Sequence, residues 1–118
     1  MTAPLPAAII DGMDHDAISD LFAGLGPVSI RRMFGGKGIY FEGTIFALEL
    51  RGELMLKGDA VVQPDYESAG CKQWTYVHSR HGKTVAMPYW TVPDGLDDAD
   101  EMTPWARKAY EAGLRSGK

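Results

Sequence analysis

The sequence lacks the features of a secreted or membrane-bound protein. Its single cysteine, Cys71, cannot form an intrachain disulfide, and a lone thiol is typical of a reducing compartment. No stretch approaches the roughly 18 consecutive apolar residues that a membrane-spanning helix needs. Residues 1–12 have no basic residue before their short apolar run, so they lack the layout of a secretory signal, and we interpret them as a flexible leader. We therefore predict a cytoplasmic protein with no membrane association.

Positive charge is also scarce. The chain has 12 Lys and Arg against 16 Asp and Glu, a formal net charge of −4, which argues against direct DNA binding because neutralised phosphates supply most of the affinity for DNA. Five of the acids lie in residues 94–101, which leaves 11 acids against 12 bases elsewhere. Residues 31–37 and 72–83 contain bases and no acids, and they are either a binding patch or ordinary solvent-facing strand positions.

The remaining pattern fits one domain over residues 13–118, with 45% hydrophobic residues to build its core. Apolar residues at helical spacing predict a first helix over residues 14–25, with Asp14 as its N-cap; they are Ile18, Leu21, Phe22 and Leu25. From Val28 to Lys57, short β-type runs broken at residues 35–36, 42–43 and 51–52 predict a four-stranded meander.

The second half of the chain predicts two helices and two strands. Pro64 and Gly70 bracket a short helix over residues 62–69, and strands follow over residues 73–79 and 83–92. Pro88 places the second of these at a sheet edge or at a bulge. Thr103-Pro104 predicts the start of a last helix, whose buried stripe comprises Trp105, Ala109 and Ala112. The order α-β-β-β-β-α-β-β-α predicts an α+β fold of two layers, an antiparallel sheet with helices on one face.

Residues 31–40 form the most unusual local sequence, because three glycines separate two strand-like runs beside Arg31, Arg32 and Lys37. Such a turn can hold a phosphate, but a phosphate loop normally opens a helix, and here a strand follows. A bulge or tight hairpin with Gly35 or Gly36 at positive φ is the better interpretation. The three histidines, Cys71 and the acidic stretch have no recognisable ligand spacing, so we predict no metal site and no cofactor.

Several motifs in register resemble the TfoX N-terminal domain family. They are Arg32-Met33-Phe34-Gly35-Gly36 with Gly38 and Tyr40, Leu25-Gly26-Pro27-Val28, Leu54-x-Leu56-Lys57-x-Asp59, Met87-Pro88-Tyr89 with Val92-Pro93, and Trp105-Ala106. The resemblance implies a fold like that of secretion chaperones. Full-length members regulate bacterial competence genes and carry a helical C-terminal domain, which a chain of 118 residues is expected to lack.

The resemblance implies a non-enzymatic regulatory or protein-interaction module. Its protein partner is unknown, a homodimer is one of the assemblies it allows, and its binding feature comprises Arg32, Phe34, Gly35, Gly36, Lys57 and Asp59. Because Arg32 and Asp59 both belong to matched motifs, we expect them to form an ion pair. The alternative is a small-ligand or phosphate-binding protein, an enzyme included, that uses Arg31, Arg32, Lys37 and Lys57 around the glycine turn.

Overall fold

The structure is a computed structural model that describes residues 15–33, 36–77, 80–93, 96 and 98–117. Its elements are α1 (His15–Leu21), β1 (Ser29–Met33), β2 (Gly36–Phe41), β3 (Thr44–Leu50), β4 (Glu53–Lys57), α2 (Gln63–Ser68), β5 (Gln73–Val77), β6 (Thr84–Thr91) and α3 (Ala99–Gly117). This order confirms the predicted one. The predicted leader and the Asp14 cap lie outside the described residues.

The six strands form one antiparallel sheet in the order β1-β2-β3-β4-β6-β5. The first four are the predicted meander. Two of its connections are two-residue hairpins, Glu42-Gly43 with φ of 50° and 84° and Arg51-Gly52 with φ of 53° and 88°. Positive φ at both loop positions matches the right-handed twist of paired strands, so the predicted breaks at these two pairs are confirmed.

The helices cover one face of the sheet, and the main core lies between the two layers. Ile18 and Phe22 of the α1 region are buried there, and the ring of Phe22 meets Phe46 of β3 edge-on at 4.9 Å between centroids. Tyr66 of α2 stacks against both Trp90 and Trp105, at 5.5 and 5.9 Å. The stripe of α3 faces the core as predicted, with Ala109 and Ala112 fully buried and Trp105 partly buried against the core cluster.

The predicted start of α3 at Thr103-Pro104 is wrong. The helix begins at Ala99, because the Asp98 carboxylate accepts a hydrogen bond from the backbone N–H of Glu101 at 2.9 Å and caps it. The Thr103 hydroxyl instead donates to the carbonyl of Ala99 at 2.7 Å. Pro104 lies within the helix, exposed to solvent, where its missing amide removes one backbone hydrogen bond.

Pro88 lies in β6, which pairs with β4 on one side and with β5 on the other, so the edge-strand alternative is wrong and the bulge alternative is confirmed. Gln73 pairs with Trp90 and Thr75 with Ala86, so two residues along β5 correspond to four residues along β6, and β6 has two extra residues there. The extra residues include Pro88, which therefore has no ladder position to fill on that side. Its carbonyl accepts a hydrogen bond from Gly58 at 3.0 Å.

Candidate functional site

The basic residues of the glycine motif are divided between the two faces of the sheet. In β1, Ile30 packs into the core under the helices and Met33 into a second cluster on the opposite, open face. Because strand residues alternate between faces, Arg31 lies on the open face with Met33, whereas Arg32 lies on the helix face, opposite Lys37 of β2. Arg31, Arg32 and Lys37 therefore do not converge on one phosphate.

Lys37 is committed to an ion pair inside the fold. Its ammonium group lies 3.2 Å from the carboxylate of Glu49 in β3, and that side chain is 1% exposed. The second carboxylate oxygen of Glu49 accepts a hydrogen bond from the backbone N–H of Gly52. The Lys37 ammonium compensates a buried carboxylate that would otherwise lack a countercharge, so the presence of Lys37 is explained by its structural role.

Gly36 is required for close approach and not for backbone conformation. Gly36 is the first residue of β2 and is not among the described residues with positive φ; the prediction named Gly35 or Gly36, so Gly36 alone does not decide it. A Cβ placed there would come closer than 3.0 Å to the carbonyl oxygen of Glu49 and to the side chain of Leu50. Phe34 and Gly35, the other predicted site residues of this turn, lie outside the described residues, and the positive-φ prediction stays untested for Gly35.

Asp59 joins two helices to the end of β4. One carboxylate oxygen accepts hydrogen bonds from the backbone N–H groups of Val61 and Val62, at 3.0 and 3.2 Å, at the entry to α2. The same carboxylate receives two hydrogen bonds from Arg115 of α3, at 2.6 and 3.1 Å. The bond from Arg115 and those from the two amides hold the pKa of Asp59 below its ordinary value, against an opposing effect of burial.

The predicted pair between Arg32 and Asp59 is therefore wrong. Strand β1 lies three positions from β4 in the sheet, which is about 14 Å at ordinary strand spacing. The partner of Asp59 is Arg115, 56 residues away in sequence. Nothing in local spacing links these two residues, since only the packing of α3 across the sheet brings them together.

Arg31 and Lys57 lie on the open face, each over a tyrosine ring. The Arg31 guanidinium is 5.1 Å from the centroid of Tyr40, and the Lys57 ammonium is 5.2 Å from that of Tyr89. Burial raises the pKa of Tyr89 to about 12, with a further contribution from Tyr40, so its hydroxyl stays protonated at neutral pH. Burial lowers the pKa of Lys57, and the nearby Asp59 opposes this shift. Both cations are held against aromatic surfaces.

An apolar groove of about 730 Å³ lies between these cations and the far end of the open face. Leu48, Met55 and Tyr89 are its most buried residues, with less than 9% of each exposed. The walls come from half-buried side chains of β1, β3, β5 and β6; they are Met33, Ile45, Leu50, Trp74 and Met87. Within the described part of the chain, the three helices pack on the other face, and none covers this groove.

Sequence reasoning missed this groove, although a signal for it was present. A sheet with one solvated face alternates apolar and polar residues, but residues 45–48 and 54–56 are apolar at consecutive positions. Such runs are typical of strands that have apolar contacts on both faces. Among the described residues, the one charged or polar side chain that is buried is that of Glu49, which faces the helices and pairs with Lys37.

Metal-ligating side chains do not gather in the described residues: no three of His, Cys, Asp or Glu lie close enough together to hold an ion. His15 and His81 are described, whereas His78 is not. In the same part of the chain, no helix is both long enough and apolar enough to cross a membrane.

These features define a small α+β domain with one sheet face under helices and one open, apolar face. The family model for the TfoX N-terminal domain matches residues 20–113, and the chain belongs to that family. It is also 36% identical to the DNA transformation protein TfoX1 of Aliivibrio fischeri (strain ATCC 700601 / ES114) over 61 residues, which are 52% of this chain and 29% of that protein. The chain thus spans less than a third of the length of this relative.

Proposed function

We propose that this chain is a non-enzymatic regulatory module that binds a protein partner through the open face of its sheet. The observation that carries this proposal is the apolar groove on that face, which the helices leave uncovered because they pack on the opposite face. Exposed apolar patches of this kind are typical of interaction sites. Family membership and the similarity to a DNA transformation protein support a role in the regulation of competence.

The family motif supports the same function. Asp59 of the motif is engaged in an ion pair within the fold, as is Lys37 between its glycines, and Gly36 allows two strands to approach closely. On the open face, a Cβ at Gly36 would clash with the side chain of Leu50, and a Cβ at Gly38 would be in tight contact with the sulfur of Met33, at 3.0 Å. We infer that the motif shapes the open face, with Arg31 and Lys57 as its charged contacts.

A second candidate is a small-ligand-binding protein that uses the same groove. Its volume, about 730 Å³, falls within the range of roughly 300 to 1,000 Å³ for small-molecule sites. Arg31 and Lys57 lie on this face and would attract an anionic ligand. This candidate differs from the original phosphate hypothesis, because it does not use Arg32 or Lys37.

Site-specific photo-crosslinking in an extract of the source cells tests the leading proposal. A photoreactive phenylalanine analogue replaces Tyr76, which lines the groove and is 43% exposed. The control replaces Arg107, an exposed residue of α3 that does not line the groove. We expect a discrete protein adduct from position 76 alone, and we expect excess unlabelled chain to compete for it. Excess Met87→Asp chain, with a charge placed in the groove, should not compete.

Adducts from position 107 alone would contradict the proposal, as would competition by Met87→Asp chain equal to that of the wild type. Absence of any adduct, together with tight binding of an anionic small molecule that Met87→Asp abolishes, would favour the second candidate.

A further inference from the structure

We propose that the element bound by the open face is an amphipathic helix of the partner that carries carboxylates beside its apolar stripe. This inference deepens the proposed function and rests on it. The apolar stripe would lie in the groove, and the carboxylates would pair with Arg31 and Lys57. The argument comes from the charges around the groove, from its direction across the strands, and from the side chains that line it.

The charge around the groove is predominantly positive. Lys57 lies over Tyr89, which lines the groove. Arg31 lies over Tyr40, whose strand partner Ile45 lines the groove. Arg51 and Glu53 line it at the hairpin between β3 and β4. Asp59 lies near Lys57 but is already paired with Arg115, so the described charges that line or border the groove are three bases against two acids, one of which has its own partner. Because complementary potentials favour association and like charges oppose it, the surface fits an acidic partner.

The same charges disfavour a second copy of this chain as the occupant. Two open faces packed against each other would bring Arg31, Arg51 and Lys57 of both copies into one interface. Among the described residues, the acid that lines the groove in each copy is Glu53. Uncompensated charges that lose water on binding are costly. A homodimer through another surface stays compatible with these positions.

The direction of the groove favours a helix over an added strand. Its lining runs from Met33 on β1 to Trp74 on β5, the two outer strands of the sheet, a distance of about 24 Å at ordinary strand spacing. A helix of about 16 residues has this length. A strand laid on a sheet face would leave its backbone amides and carbonyls unpaired, whereas a helix satisfies its own.

The lining residues also suit a helix. Met33, Met55 and Met87 come from three different strands and meet in the groove. Methionine side chains are unbranched and flexible, so they adjust to the ridges of different helices and are common on surfaces that bind amphipathic helices.

The test uses the whole chain and two synthetic, fluorescein-labelled peptides of about 16 residues. Both carry leucines at i, i+3, i+4 and i+7; one has Glu beside this stripe, and the other has Lys at the same positions. Fluorescence anisotropy at near-physiological salt measures each affinity. We expect the Glu peptide to bind at least about tenfold more tightly than the Lys peptide, because like charges across an interface oppose association.

A charge-reversed chain, Arg31→Glu with Lys57→Glu, should invert this preference and bind the Lys peptide more tightly. An inverted preference cannot result from unfolding, which would weaken both peptides. The matched control is Arg107→Glu, the same change at an exposed position on α3, and it should leave both affinities unchanged. Circular dichroism verifies that each variant is folded.

Equal affinity of the two peptides, no binding of either, or equal effects of the Arg107→Glu and Arg31→Glu/Lys57→Glu chains would overturn the inference. Displacement of the Glu peptide by a synthetic peptide of residues 1–14 at lower concentration than by unlabelled Glu peptide would also overturn it, because the occupant would then come from this chain. If the peptides fail while the adduct at position 76 persists, the helix chemistry is wrong and the interaction module stands.

Discussion

The ion pair between Lys37 and Glu49 distinguishes a structural role of the glycine motif from a ligand-binding role. Glu49 is 1% exposed, while the Lys37 side chain keeps 21% of its surface in water. Removal of one partner from a fully buried pair costs about 3–5 kcal/mol. Because the lysine is partly solvated and Gly52 still donates to Glu49, we expect Lys37→Met to lower the free energy of unfolding by about 2 kcal/mol.

A double-mutant cycle isolates the pair. Glu49→Gln keeps the shape of the side chain and an acceptor for Gly52, so we expect a loss of about 1–2 kcal/mol. The double variant Lys37→Met/Glu49→Gln leaves neither charge unpaired and should lose less than the sum of the two single changes. We expect the coupling free energy to exceed about 0.5 kcal/mol. Urea denaturation followed by circular dichroism measures all four chains.

The control for this cycle is Lys83→Met, which removes an exposed lysine at the entry to β6 and should change stability by less than about 0.5 kcal/mol. Titration with inorganic phosphate provides the second readout. If Lys37→Met matched Lys83→Met in stability but abolished phosphate binding, Lys37 would serve a ligand and the structural interpretation would be refuted.

Three further predictions concern Gly36, Asp59 and DNA. Gly36→Ala should lower the free energy of unfolding by about 1 kcal/mol or more in urea melts, because its Cβ would clash with the Glu49 carbonyl; Gly117→Ala, where a Cβ meets nothing, should not. Asp59→Ala should cost about 1 kcal/mol at pH 7 through the lost hydrogen bonds at the entry to α2. Because the pKa of Asp59 is lowered in the fold, the stability difference between the wild type and Asp59→Ala should shrink as the pH falls from about 3.9 through the lowered pKa of the folded state. A stability difference that did not change with pH would contradict this role of the Asp59 carboxylate. Duplex DNA should bind no more tightly than about 10⁻⁶ M in anisotropy at near-physiological salt, and sub-micromolar, sequence-selective binding would contradict the protein-interaction proposal.

The element order could be predicted from sequence because the chain signals its elements locally. Alternating and helical apolar spacing identified strands and helices, and the pairs Glu42-Gly43 and Arg51-Gly52 supplied the hairpin geometry directly. The start of α3 was misplaced because Thr103-Pro104 is a strong local start signal. The actual cap uses Asp98 with Glu101 three residues later, a signal that was also readable.

The site was less predictable than the fold because its contacts join distant elements. Alternation within β1 separates Arg31 from Arg32, although the two residues look like one basic patch in sequence. Asp59 was singled out as a site residue, and its ion-pair partner depends on where α3 crosses the sheet. The motifs of the family resemblance thus singled out residues without specifying what they contact.

The separation of the two apolar clusters explains how the open face can be adapted for binding while the fold is kept. The large core lies between the sheet and the helices, and the stacked rings of Tyr66, Trp90 and Trp105 hold the layers together there. The open-face cluster contributes fewer buried side chains, and its outer residues Met33 and Met87 remain half exposed. Polar residues at these two positions are what a sheet face in contact with water ordinarily carries, and they would reduce the tendency of an apolar patch to aggregate. Under the proposed function, the apolar character of these two positions serves the binding of a partner and not the folding of the domain. Replacement of both by threonine should accordingly cost far more in partner affinity than in stability.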